Sequence, residues 1–219
     1  ALRYQGAPNE AEVALTRARR LVPEHPSIPL EEAQLCLDLG RLEQADTLVA
    51  EAATQLNDHS AIPFIRGLIA ARQNRLTEAI SLFSKVLATD PDHVRARLNR
   101  CSASLLKGDL AEALDDADYL VTNQPGLDMA RLRRSEVLMS HGDWDEAEAE
   151  YEAAIPLARK HKMPHELARL LSARADIAVK RGAMDDALEM HRKSLEIQIP
   201  LRDAVGAARS YNNMGYIYR

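Results

Sequence analysis

The chain has 219 residues, 46% apolar and 4% aromatic, with 28 Lys and Arg against 33 Asp and Glu for a net charge of −5. There is enough apolar surface to bury. No apolar run approaches the roughly 18 residues of a membrane span, and without a basic block a phosphate backbone finds little attraction. Membrane insertion and nucleic-acid binding are therefore not expected. Ala, Leu, Glu and Arg dominate, a mixture of helix formers without the β-branched and aromatic runs that strands need. The fold class expected is all-α. Cys36 and Cys101 are too few and too far apart for a disulfide framework or zinc cluster, and the first residues do not read as a secretory leader. A reducing, cytoplasmic setting is the expectation.

Along the chain, Ala11, Ala45, Ala79, Ala113, Ala147 and Ala187 fall at intervals of 34, 34, 34, 34 and 40 residues. Five residues before each stands Gly6, Gly40, Asn74, Gly108, Gly142 or Gly182, the residue types that end a helix in a left-handed turn. Twelve residues before each alanine from the second onward come Ala33, Gly67, Cys101, Ser135 and Ala175, and Gly215 continues the series. All are small, as closely crossing helices demand. Pro23, Pro91 and Pro125 follow their alanines by twelve residues, where a proline ends one helix pair. Asn57 and Arg159 break that pattern.

Helix, glycine turn, alanine-containing helix and proline turn at this spacing resemble the tetratricopeptide repeat, as in Gly67, then Leu76-Thr77-Glu78-Ala79, then Phe83, then Asp90-Pro91. The resemblance covers the whole chain. It implies a right-handed superhelical solenoid of antiparallel helix pairs with units at 1–25 (partial), 26–59, 60–93, 94–127, 128–167, 168–207 and 208–219 (a first helix). The 40-residue interval and the segment Gly206 to Tyr218 are similar to the longer-helix subtype of that family. Both terminal repeats read as incomplete and uncapped, so a piece of a longer repeat protein, with some capacity for self-association through its ends, is expected.

Residues that could carry chemistry have simpler readings. His25, His59 and His93 recur every 34 residues, but helix axes pack about 8–10 Å apart and an ion needs its nitrogens at about 2 Å. They read as turn residues. His161 and His165 have helical metal-pair spacing with Pro164 between them and no third ligand nearby. Asp115, Asp116 and Asp118 have a structural partner closer to hand, because Arg66, Arg100, Arg134 and Arg174 stand thirteen residues before the ladder alanines. In repeats resembling these, such an arginine pairs with an acid three residues after the alanine, here Asp116 for Arg100 and Glu150 for Arg134. Arg66 and Arg174 face Leu82 and Met190 at that offset and are expected to be freer. No nucleotide, hydrolase or zincin motif occurs. Neither an enzyme nor a cofactor is expected.

The function expected is a scaffold that holds a partner protein or peptide in the groove of the repeats. An alternative is the sensor or autoinhibitory arm of a larger signalling enzyme or transcription regulator. Helical periodicity puts on the groove face Leu30, Phe64, Leu68, Leu98, Ser102, Leu132, Glu136, Asn212 and Tyr216, with Asn99, Arg133 and Asn213 beside them. Leu30, Phe64, Leu98 and Leu132 form an apolar stripe at 34-residue steps. The competing reading is that the stripe packs adjacent first helices together.

Overall fold

The computed structural model describes residues 8–56 and 59–218. Among them the chain forms only helices, in order α1 (Pro8–Leu21), α2 (Ser27–Asp38), α3 (Leu42–Ala53), α4 (Ala61–Arg72), α5 (Leu76–Thr89), α6 (Val94–Lys107), α7 (Leu110–Asn123), α8 (Asp128–His141), α9 (Trp144–Lys160), α10 (Pro164–Lys180), α11 (Met184–Gln198) and α12 (Ala204–Ile217). They fall into two compact units, residues 1–109 and 110–219. In each unit a helix packs on the next across a short turn, and first helices also touch one another, as α2 with α4, α4 with α6, and α10 with α12.

Local chemistry places the turns. Gly40, Asn74, Gly108, Gly142 and Gly182 all have positive φ, the left-handed geometry that glycine and asparagine tolerate. The expected turn at Gly6 lies outside the described residues, as do Asn57 and Arg219. Pro23, Pro91 and Pro125 sit in the other set of turns. Histidine contributes there too: the backbone N–H of Ser27, Ala61 and Ala96 donates to Nδ1 of His25, His59 and His93 at 3.4, 3.2 and 3.1 Å. The recurring histidines hold successive helix starts, where four N–H groups otherwise lack partners. His161 and His165 are exposed.

The core follows the ladder. Ala45, Ala79, Ala113, Ala147 and Ala187 are fully buried, as are Ala33, Cys101, Ser135 and Ala175. Gly67 shows why the partner residue must be small. A Cβ added there would lie 2.7 Å from Cε1 of Phe83 on α5, so the ring occupies the space a side chain would fill. Four residues after each of these five alanines stand Val49, Phe83, Ala117, Tyr151 and His191, all buried to 1% exposure or less. In the first unit this packing is mainly apolar, around Leu37, Ile69, Phe83 and Val86. Between α10, α11 and α12 it turns polar. Ser172 bonds to Ser194 at 2.9 Å and to Ser210 at 3.2 Å, Ser194 donates to the Ala168 carbonyl at 2.8 Å, and Ser210 donates to Gln198 at 3.1 Å.

The 40-residue interval has a distributed origin. Helices α9 and α10 have 17 residues each, against 14 in α8. The expected breaks at 167/168 and 207/208 accordingly fall inside α10 and α12, which begin at Pro164 and Ala204. Lys162 and Arg202 take positive φ in the turns before them, positions where composition gave no glycine signal.

Replacing Gly142 by Ala, where nothing lies within 4 Å of the new Cβ, should cost about 1 kcal/mol from the left-handed backbone alone. Gly67→Ala should cost about 1–3 kcal/mol by overpacking, and adding Phe83→Leu should recover part of it. Urea denaturation of the single and double variants measures both, and additive effects at 67 and 83 would contradict the contact.

Candidate functional site

The expected groove residues, all on first helices, lie at three depths. Leu30, Phe64 and Leu132 are buried, at 8%, 6% and 2% exposure. Leu68, Leu98, Asn99, Ser102, Arg133, Glu136 and Asn213 are half-buried, and Asn212 and Tyr216 are exposed. The apolar stripe is thus not an open surface at Leu30, Phe64 and Leu132. Leu30 and Phe64 belong to the core of the first unit and Leu132 to that of the second. Ser172, the fifth residue in the same register, sits in the buried hydroxyl network.

In the first unit, Leu30 and Phe64 line a cavity of about 370 Å³ with Gln34, His59, His93 and Arg95. Phe64 meets the Phe83 ring at 6.0 Å between centroids and His93 at 5.0 Å. The Arg95 guanidinium lies 5.0 Å from the Phe64 centroid, within cation–π range. Asn99 and Ser102 are turned to their own helix, donating to the carbonyls of Arg95 at 2.6 Å and Leu98 at 2.8 Å.

In the second unit the first-helix face is polar and linked from helix to helix. Arg133 donates to Glu136 on α8, Arg169 on α10 reaches Glu136 at 3.3 Å, and Asn213 on α12 donates to Asp176 on α10 at 2.9 Å. From behind, Tyr151 of α9 and His191 of α11 come up beneath these groups. Burial pushes the Tyr151 hydroxyl above its ordinary pKa, helped by Glu136 and Asp176. Burial also pushes the Asp176 carboxyl up, against the pull of Arg209, the Asn213 hydrogen bond and Lys180. It pushes His191 down, as does Arg209. His191 is fully buried, and neither ring nitrogen has a hydrogen-bond partner.

The arginine register holds where the first and second helices of one pair meet: Arg134 donates to Glu150 at 2.8 Å, and also to Asp118 at 2.5 Å. Arg174, expected to be freer, is paired instead with Glu148 at 3.2 Å and Glu152 at 2.7 Å. Its acids lie on the preceding second helix, so the offset rule looked in the wrong direction. Arg181 joins it on Glu148, and the two arginines, outweighing burial, hold that carboxyl below its usual range. Sequence reading passed over His191, Asp176's partner role and Arg95. A signal for the first existed, since the fourth residue after each other ladder alanine is Leu, Val, Phe, Ala or Tyr and only here is it His.

Among the described residues no group of three His, Cys, Asp or Glu side chains is placed to hold a metal ion, and no helix is long and apolar enough to cross a membrane. Helix pairs repeated at 34 residues and locked by small residues define a helical repeat protein. Family models described as tetratricopeptide repeat match residues 2–62, 64–128 and 128–199, and the chain belongs to that family. No curated protein matches it. Among solved structures it is similar to a tetratricopeptide repeat protein from Parabacteroides merdae, at 18% identity and a TM-score of 0.69, covering 99% of this chain and 89% of that one. The apo form of RapI gives a TM-score of 0.79 at 13% identity, with 89% and 77% covered. YrrB, described as a TPR protein with an unusual peptide-binding site, gives 0.62 at 19%, with 91% and 98% covered.

Two outcomes are expected from these placements. Phe64→Ser should cost about 3 kcal/mol or more, lowering the melting temperature by roughly 10 °C, so loss of binding in that variant would not by itself report a contact surface. An unchanged melting curve would show the ring to be dispensable to the core. His191 has a folded-state pKa below its unfolded value, so the unfolded chain binds the proton first as pH falls and stability drops with it. Asp176, raised on folding, acts in the opposite sense at lower pH. Between about pH 7 and pH 5.5 the wild type should lose stability relative to His191→Gln in chemical denaturation; equal slopes would refute a neutral buried ring.

Proposed function

We propose that the chain is a protein-interaction scaffold that holds an extended peptide or a helix along the first-helix faces of its repeats. The observation carrying this reading is the polar line of the second unit, where Arg133 of α8 and Arg169 of α10 bond to Glu136, and Asn213 of α12 bonds to Asp176 of α10. Such spaced donors and acceptors suit a peptide backbone, whose N–H and C=O groups alternate. The cavity at Phe64 and Arg95 in the first unit offers an apolar wall with a cation at its rim, suited to a single side chain. An arm of a larger regulator would use the same faces, so that alternative differs in what lies beyond the repeats and not in the site.

Peptide display against the whole chain tests this. Selected ligands should lose tenfold or more in affinity on Ser102→Arg in α6 or Asn212→Arg in α12, which place bulk and charge on first-helix faces. Ala111→Arg and Ala153→Arg, exposed on the second helices α7 and α9, should leave affinity unchanged. Ligands that respond to the second pair of variants and not the first would place binding on the opposite face and refute the proposal.

A further inference from the structure

Asp176 differs from every other carboxylate on its face. Glu136, in the same register on α8, is held by Arg133 and Arg169, and Glu166, also on α10, by Arg169 at 3.5 Å. No arginine or lysine among the described residues lies within ion-pair distance of Asp176. Arg209 and Lys180 act on it only through space. Among the described residues its one hydrogen bond is from the neutral amide of Asn213, and Nε2 of His191 lies 3.9 Å away.

His191 makes this a built site. It is 0% exposed, both nitrogens lack partners, and it stands where the other repeats place an apolar or aromatic knob. Its Nε2 lies 3.9 Å from Oδ1 of Asp176, whose side chain keeps 45% of its surface open. A half-buried carboxylate without a cation is unfavourable, since buried charges are stable when paired. The oxygens of this pair left without a hydrogen-bond partner are the second oxygen of Asp176 and the amide oxygen of Asn213, both acceptors. Arg209, exposed on α12, stands at the rim without reaching hydrogen-bond distance and leaves those acceptors unfilled.

We propose that Asp176 and Asn213 form a subsite for a cationic nitrogen of the bound peptide, with Asp176 as counter-ion, Asn213 Oδ1 as second acceptor and His191 as the buried floor. The cation is either a peptide amino terminus or a Lys or Arg side chain. This rests on the peptide-binding reading above and names the chemistry that the second unit selects.

The test uses the whole chain and an array of hexapeptides in four forms: free or acetylated at the amino terminus, and with Lys and Arg retained or replaced by norleucine. Binding peptides should lose tenfold or more when the cation is removed, and the arm that causes the loss identifies its source. Asp176→Asn should cause a loss of similar size, and the neutral peptides should bind it no worse than they bind wild type. That substitution is isosteric and removes an unpaired charge, so its melting temperature should be unchanged or higher, which separates lost recognition from lost fold. Cationic peptides that bind Asp176→Asn as tightly as wild type would overturn the subsite while leaving peptide binding intact, as would binders selected without any cationic group. If no peptide in any form binds the wild type, the peptide reading and the subsite fall together.

Discussion

Everything in this molecule depends on how closely two helices of a pair can approach. The second helix presses a side chain four residues beyond its ladder alanine toward the first, and the first must yield space there. At Gly67 the yielded space is filled by the Phe83 ring, 2.7 Å from where a Cβ would be. The remaining ladder positions, from Ala33 to Ala175, are small and fully buried. Close packing of this kind forfeits dispersion energy quickly when a gap opens and incurs strain when volume is added. That sensitivity keeps the register legible over 34-residue steps although the neighbouring structures share under a fifth of their residues.

Once the pairs are fixed, charge stitches the helices at their edges. Arg19 bonds to Glu32 and Glu51, Arg134 to Asp118 and Glu150, and Arg174 to Glu148 and Glu152. Arg19 and Arg134 each reach two other helices and Arg174 reaches one, and the planar guanidinium can serve two carboxylates at once. Being partly exposed, each pair contributes about 1 kcal/mol or less. Their larger effect is to settle which arginines and acids are already engaged, and so which charged groups a ligand would find open.

The sequence disclosed the fold because the signals that set it are local or periodic. Small residues, alanines and left-handed turns repeat at a spacing that survives inspection of one chain, and the two long helices announced themselves as a 40-residue interval. The interval could not reveal how the extra residues divide between α9 and α10, since either helix can lengthen without disturbing the alanines. The site was less legible for a different reason. Periodicity says which face of a helix a residue occupies, but not how far a neighbouring helix covers that face, so Phe64 and Leu132, expected on an open stripe, are buried in the cores of their units. The role of Asp176 was not legible because it rests on the cation it does not bond, and His191 showed only as an odd residue in its register, with nothing in the sequence to say that both ring nitrogens lack partners.

The two cysteines lie in the first unit, Cys36 on α2 and Cys101 on α6, both buried and reduced. Burial pushes the Cys36 thiol above its ordinary pKa, with Arg41 partly offsetting it, which suppresses the reactive thiolate. An alkylating reagent therefore meets neither sulfur until α2 or α6 swings outward. The second unit has no sulfhydryl with which to answer. The molecule thus carries an intrinsic clock for the breathing of half its length, read by mass spectrometry as two successive mass increments, with the other half invisible to the same reagent.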